Sequence, residues 1–374
     1  MRALAALLAL VAAMAAAGAA EAAPVVSLQD DALVNARGPG LEARLDALAA
    51  TGVRVTRVDV LWREVAPRRP ADARDPDDPA YDWSLYDAIV RGLTARGVGV
   101  MLDFYRTPAW ASARGTPSAA PRPADAARFA GAIARRYSGA HPDPAGGTLP
   151  AVRRLEIWNE PNLPGFWTPQ CRRRRGRAVP VSPRAYAALL AAAYREVKRA
   201  SPATIVVGGV VGPAGRTPRV CPRGGAAGIG SLDFTARVAR ERPPIDAWSQ
   251  HLYPIGSPLG AVFSPSWSTL SRVYPHVDKL RRGAPVYVTE TGYHTSYNRF
   301  HRYFVSEAQQ ALWVDETFAA AARDPRVELV TWFNFQDNPL WTGGLLRADG
   351  SRKPSYDRFA AQAAAGPVPP GWAP

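Results

Sequence analysis

Leu155-Glu156-Ile157-Trp158-Asn159-Glu160-Pro161-Asn162 and Pro285-Val286-Tyr287-Val288-Thr289-Glu290-Thr291-Gly292 are two short apolar runs, each delivering one glutamate to the point where the chain must turn. Pro161 cannot donate to a sheet ladder and forces the chain out of pairing directly after Glu160. Gly292 lets the backbone leave the second run. Working outward, six further short β-branched runs begin near Val25, Val53, Val98, Thr204, Asp246 and Leu329, so that with those starting near Leu155 and Val286 there are eight. Segments of helical period follow them near Leu41, Leu85, Ala124, Arg184, Leu232, Leu270, Glu307 and Tyr356. Strands alternating with helices argue for a parallel sheet with crossover helices, and eight such units is the number that closes a (β/α)8 TIM barrel. A doubly wound nucleotide-binding sheet is disfavoured, because no Gly-rich phosphate loop follows the first run.

In a barrel of this type the chemistry sits at the carboxyl ends of the strands. The fourth and seventh strands face each other across the mouth, so Glu160 and Glu290 are expected to flank one bond held between them. Two carboxyl groups in this relation suit glycosidic bond cleavage, which with retention needs a separation of roughly 5 to 5.5 Å. Glu156, four residues below Glu160, and Asp103 are expected to be internal hydrogen-bonding or ion-pair groups.

The run Trp158-Asn159-Glu160-Pro161-Asn162 with the later Thr289-Glu290 resembles the signature of clan A glycoside hydrolases. Its extension through Leu163-Pro164-Gly165-Phe166-Trp167 is most similar to family 39, with family 5 next, and the resemblance covers residues 25–365. It implies that Glu160 is the general acid/base and Glu290 the nucleophile, two identical groups needing opposite tuning. Arg57 matches the clan's second-strand arginine and would hold Glu290 ionised; its other reading is an ion pair with Asp59 or another carboxylate. Asn159 matches the asparagine that binds the sugar 2-hydroxyl. His251 and Tyr253 lie on one face by period two and match a His-x-Tyr pair whose tyrosine bonds the nucleophile. Trp332 resembles the tryptophan floor of the reacting-sugar subsite, while Trp110, Trp167 and Trp341 stand between cleft and core. The family implies β-xylosides, uronic-acid glycans or bacterial exopolysaccharides as substrates, and the absence of room for an added β-sandwich weakens the xylosidase assignment.

Residues 1–22 have the three-part form of a secretory signal peptide with an Ala-x-Ala end, so a secreted, extracellular protein of about 350 residues is expected. Residues 23–366 are assigned to one catalytic domain and 367–374 to a Pro-rich tail. Export would place Cys171 and Cys221 in an oxidising compartment, where a disulfide between them is expected. The five histidines show no ligand spacing, so neither metal nor cofactor is expected. The formal charge of +14 is largely arginine. One cluster, Arg172, Arg173, Arg174, Arg175 and Arg177, suits an anionic polysaccharide, whereas nucleic acid is not expected because no reading motif accompanies the charge. The competing reading is a non-catalytic carbohydrate-binding or cell-surface barrel, against which the presence of both carboxylates, Arg57 and Trp332 argues.

Overall fold

The structure, a computed structural model, describes residues 23–215, 228–260, 266–297, 302–368 and 371–372. The expected signal segment, Cys221 and most of the loop after the fifth strand lie outside the described residues. Eight parallel strands close a barrel in chain order: β1 Val25–Gln29, β2 Val55–Leu61, β3 Gly99–Tyr105, β4 Arg154–Glu156, β5 Ile205–Val211, β6 Ala247–Leu252, β7 Val286–Thr291 and β8 Val327–Phe333. β1 pairs with both β2 and β8, which completes the ring. Each strand feeds a main helix: α1 Gly38–Ala49, α2 Ser84–Ala95, α3 Pro123–Arg136, α4 Ser182–Ala200, α5 Ser231–Glu241, α6 Leu270–Val277, α7 Glu307–Ala322 and α8 Pro354–Ala365. This is a single-domain (β/α)8 TIM barrel. No helix among the described residues is long and apolar enough to cross a membrane.

Period two explains how the ring is filled. In β2, Val58 and Val60 join the apolar layer beneath the helices, while Val55 and Arg57 point inward. The lumen floor is apolar, built from Val25, Val55, Met101, Val207, Ala247, Tyr287 and Leu329. Above it the same inward faces turn polar, with Arg57, Asp103 and Glu156 all buried. The expected tail is part of this construction. Trp372 reaches under the barrel, lies with its ring face 3.2 Å from the Arg154 guanidinium and edge to face with Tyr287 at 5.3 Å, and is 7% exposed.

Two departures shape the site. β4 ends its pairing at Glu156, so Glu160 stands four residues beyond the regular strand, on a turn where Trp158 (φ 78°) and Glu160 (φ 39°) are both left-handed. Between β6 and β7 the register slips, from Ser249 opposite Tyr287 to His251 opposite Glu290. Such an irregularity re-aims a side chain. Thr289 faces inward onto the Ser249 hydroxyl, and the slip turns the next residue, Glu290, to the mouth as well.

Candidate active site

Arg57, at the centre of β2 and fully buried, organises the mouth. Its five N–H groups meet five acceptors. Nε donates to Glu156 Oε2 at 2.6 Å; Nη1 donates to Gln29 Oε1 at 2.6 Å and Glu290 Oε1 at 3.1 Å; Nη2 donates to Asp103 Oδ2 at 2.9 Å and Asn159 Oδ1 at 3.1 Å. Asp59 lies further off, at 3.4 Å. Both readings of this arginine therefore hold in geometry, since it ties internal carboxylates and Glu290 together. A guanidinium bonded in this way fixes several side chains at once because its donor fork is rigid.

Glu290 is held at both oxygens, by Arg57 at Oε1 and by the Tyr253 hydroxyl at Oε2, 2.7 Å away. Glu160 faces His251, whose Nδ1 lies 3.0 Å from Glu160 Oε1 and 3.4 Å from Glu290 Oε2. An oxygen of Glu160 lies within 4.8 Å of an oxygen of Glu290. These two glutamates and His251 are also the described residues that would hold a cation, although the Arg57 cation already occupies one side of Glu290. Burial pushes Glu160 up to about 7, with only the Arg57 charge opposing it. Burial lifts Glu290 as well, and the nearby Glu160 charge adds to this, but there His251, Arg57 and the Tyr253 hydroxyl pull the other way. The environments therefore separate the two carboxyl groups.

The structure corrects the role expected for Trp332. In β8, Leu329 belongs to the lumen floor, so Thr331 and Phe333 share its inward face and Trp332 points out. Trp332 is 0% exposed in the layer under the helices, with Nε1 donating to the Gly343 carbonyl at 3.2 Å, and has no face free for a sugar. The aromatic cover at the mouth is instead Trp341, whose ring lies 4.9 Å from Tyr253 and 4.8 Å from Phe333. Trp167 is core, packed on Trp158 and Tyr186. Trp110 is half-buried beneath Arg69, with Nε1 on the Ala66 carbonyl.

Sequence reasoning passed over Gln29 and Asp31, and named Asp59 only as a partner for Arg57. Gln29 Nε2 donates to Asp31 Oδ1 and to Asp59 Oδ1, both at 3.1 Å, and the Tyr105 hydroxyl donates to Asp59 Oδ2 at 3.1 Å. Burial, then the charges of Asp59 and Glu290, push Asp31 well above the usual carboxylate range. The inward phase of Gln29 and Asp59 was readable from the alternation of their strands, but no motif marks them. Away from the mouth, Cys171 opens a short hairpin, and its expected partner Cys221 is outside the described residues.

The fold is that of family 39 and family 5 glycoside hydrolases. A family 39 glycoside hydrolase from the gut symbiont Bacteroides cellulosilyticus superposes with a TM-score of 0.60 at 20% identity, over 92% of this chain and 64% of that one. A family 39 β-xylosidase from Caulobacter crescentus gives 0.61 at 20% identity, over 91% and 71%. A subfamily GH5_18 protein from Streptomyces cattleya, solved in complex with Manb1-4GlcNAc, gives 0.61 at 17% identity, over 91% and 80%. The chain thus spans somewhat under two thirds of the first of these. No protein-family model matches it, and no curated protein matches it by sequence.

Proposed function

We propose that the protein is a retaining glycoside hydrolase that cleaves a β-linked poly- or oligosaccharide. The observation that carries the reading is the spacing of Glu160 and Glu290, which have oxygens within 4.8 Å of each other in environments that separate their proton affinities. That spacing suits direct attack by one carboxylate. An inverting enzyme needs roughly 6.5 to 9.5 Å to admit a water. Glu290, with both oxygens held by Arg57 and Tyr253, attacks the anomeric carbon while Glu160 gives its proton to the departing oxygen. Glu160, now a base, then takes a proton from the water that releases the sugar from Glu290. Asn159, its carbonyl oxygen held by Arg57, keeps its amide N–H groups for the sugar 2-hydroxyl. Trp341 and Phe333 take the stacking role that Trp332 cannot fill.

The test is release of sugar from a panel of β-linked polysaccharides and aryl β-glycosides by the wild type and by Glu290→Ala, with the first-released anomer followed by NMR. Release of the β-anomer by the wild type alone supports the reading. First release of the α-anomer makes the enzyme inverting, and binding without release by either form favours the carbohydrate-binding alternative. Export with removal of residues 1–22, and a Cys171–Cys221 disulfide, belong to the same proposal. N-terminal sequencing of the secreted form tests the first, and finding two free thiols under denaturing, non-reducing conditions overturns the second.

A further inference from the structure

We propose that the arginine hairpin inserted between β4 and α4 is a binding arm for an anionic polysaccharide, set on the leaving-group side of the scissile bond. Cys171–Arg174 pairs antiparallel with Arg177–Pro180 around Arg175 and Gly176, both with positive φ, the conformation of a two-residue turn that matches strand twist. Register puts Arg174 directly opposite Arg177, and period two puts Arg172 on the same face. Like charges directly opposite destabilise a ladder, and a two-stranded hairpin has little stability to spare. Arg172, Arg174 and Arg177 are exposed, and none forms an ion pair with a carboxylate among the described residues. Three guanidinium groups held on one face against their own repulsion are complementary to a polyanion.

The hairpin's foot locates it. Gln170, fully buried, donates Nε2 to the carbonyl of Pro161 at 3.0 Å and to that of Trp167 at 2.8 Å, and accepts at Oε1 from the Ser182 hydroxyl at 2.7 Å. Pro161 follows Glu160, so the arm is tied to the loop that carries the proton donor. On β2, the Asp59 carboxylate shares the Arg57 guanidinium with Glu290, at 3.4 and 3.1 Å, and would repel an anionic sugar in the reacting position. Negative groups are therefore directed to the arm. Only this assignment of sides rests on the glycosidase reading.

The experiment is affinity electrophoresis of the full chain, in a Glu290→Ala background, through gels containing polygalacturonate, dextran sulfate or neutral dextran. The variant Arg172→Gln/Arg174→Gln/Arg177→Gln is compared with Arg135→Gln/Arg195→Gln/Arg240→Gln, which removes the same charge from exposed helical positions. The expected result is retention by a polyanion that weakens about tenfold in the hairpin variant, falls with added salt, and is kept by the helical variant. Polygalacturonate against dextran sulfate distinguishes carboxylate from sulfate recognition. Equal weakening in both variants, equal retention by neutral dextran, or tighter retention by duplex DNA than by either polyanion overturns the proposal. Turnover of small neutral aryl glycosides by the wild type is a separate readout, so failure of the arm and failure of the glycosidase reading are told apart.

Discussion

Arg57 shows how one side chain sets the chemistry of its neighbours. Its guanidinium meets Asp103, Glu156 and Glu290 directly, at 2.9, 2.6 and 3.1 Å. Replacing it by methionine leaves Glu156 and Asp103 buried without a counter-ion, a change that destabilises by about 3–5 kcal/mol. Urea unfolding of Arg57→Met checks this, and unchanged stability would mean that the carboxylates are held by other means. The proton on Glu160 sets the alkaline side of the pH profile. Because its folded pKa is raised to about 7 and the reaction needs the protonated form, kcat/KM should fall as pH rises through about 7. Glu160→Gln should remove that limb and lower turnover of poorly activated substrates by about 10²–10⁴-fold. A limb that survives the substitution would assign it to another group.

At the scale of elements, the site depends on how β4 and β5 end. The turn carrying Glu160 is held by a hydrogen bond from its own N–H to the Val210 carbonyl at 3.0 Å, and it packs against Gly212. A Cβ at Gly212 would lie 2.7 Å from both Cδ and Oε1 of Glu160. Gly212→Ala should therefore leave the barrel folded but push the proton donor aside, lowering kcat by roughly 10²-fold for a displacement near 1 Å. Circular dichroism and kcat measured together check it, and full turnover would show that the turn relaxes without cost. The β6–β7 register slip works in the same direction. Strict alternation would put Thr289 inward and Glu290 out, and only the irregularity brings both to the lumen.

For the whole molecule, the chain returns to close its own base. Trp372 seals the lumen floor from below, its carbonyl so near Gly99 that a Cβ there would sit 2.2 Å away. Trp372→Ala should destabilise by about 3 kcal/mol, the lower end of the range for a buried tryptophan, because a terminal segment can relax. Chemical denaturation tests this, with catalysis unchanged since the plug lies at the end opposite the mouth. A stability loss below about 0.5 kcal/mol, the ordinary effect of a surface change, would show the plug to be dispensable.

The barrel was legible in the residues because a parallel strand covered on both faces reads as a short apolar run. All eight observed strands begin within two residues of the expected positions. Glu160 and Glu290 were legible because Pro161 and Gly292 punctuate the strands that carry them. Trp332 was misread because its motif was weighed and its phase was not. Glu328, exposed, and Val330 share its face, which marks that face as outward. Asp31, Trp341 and Trp372 were beyond local reading, since Asp31 is set against Asp59, Trp341 packs on Tyr253, and the segment carrying Trp372 meets Arg154, 217 residues away. The sequence by itself thus determined the number and order of the units and the two carboxylates, because those follow from local pattern and turn chemistry. Only the tertiary structure decided the separation of Glu160 and Glu290, their different proton affinities and which aromatic ring covers the mouth. Those are set by ring closure, a register slip and the burial of one arginine among four carboxylates.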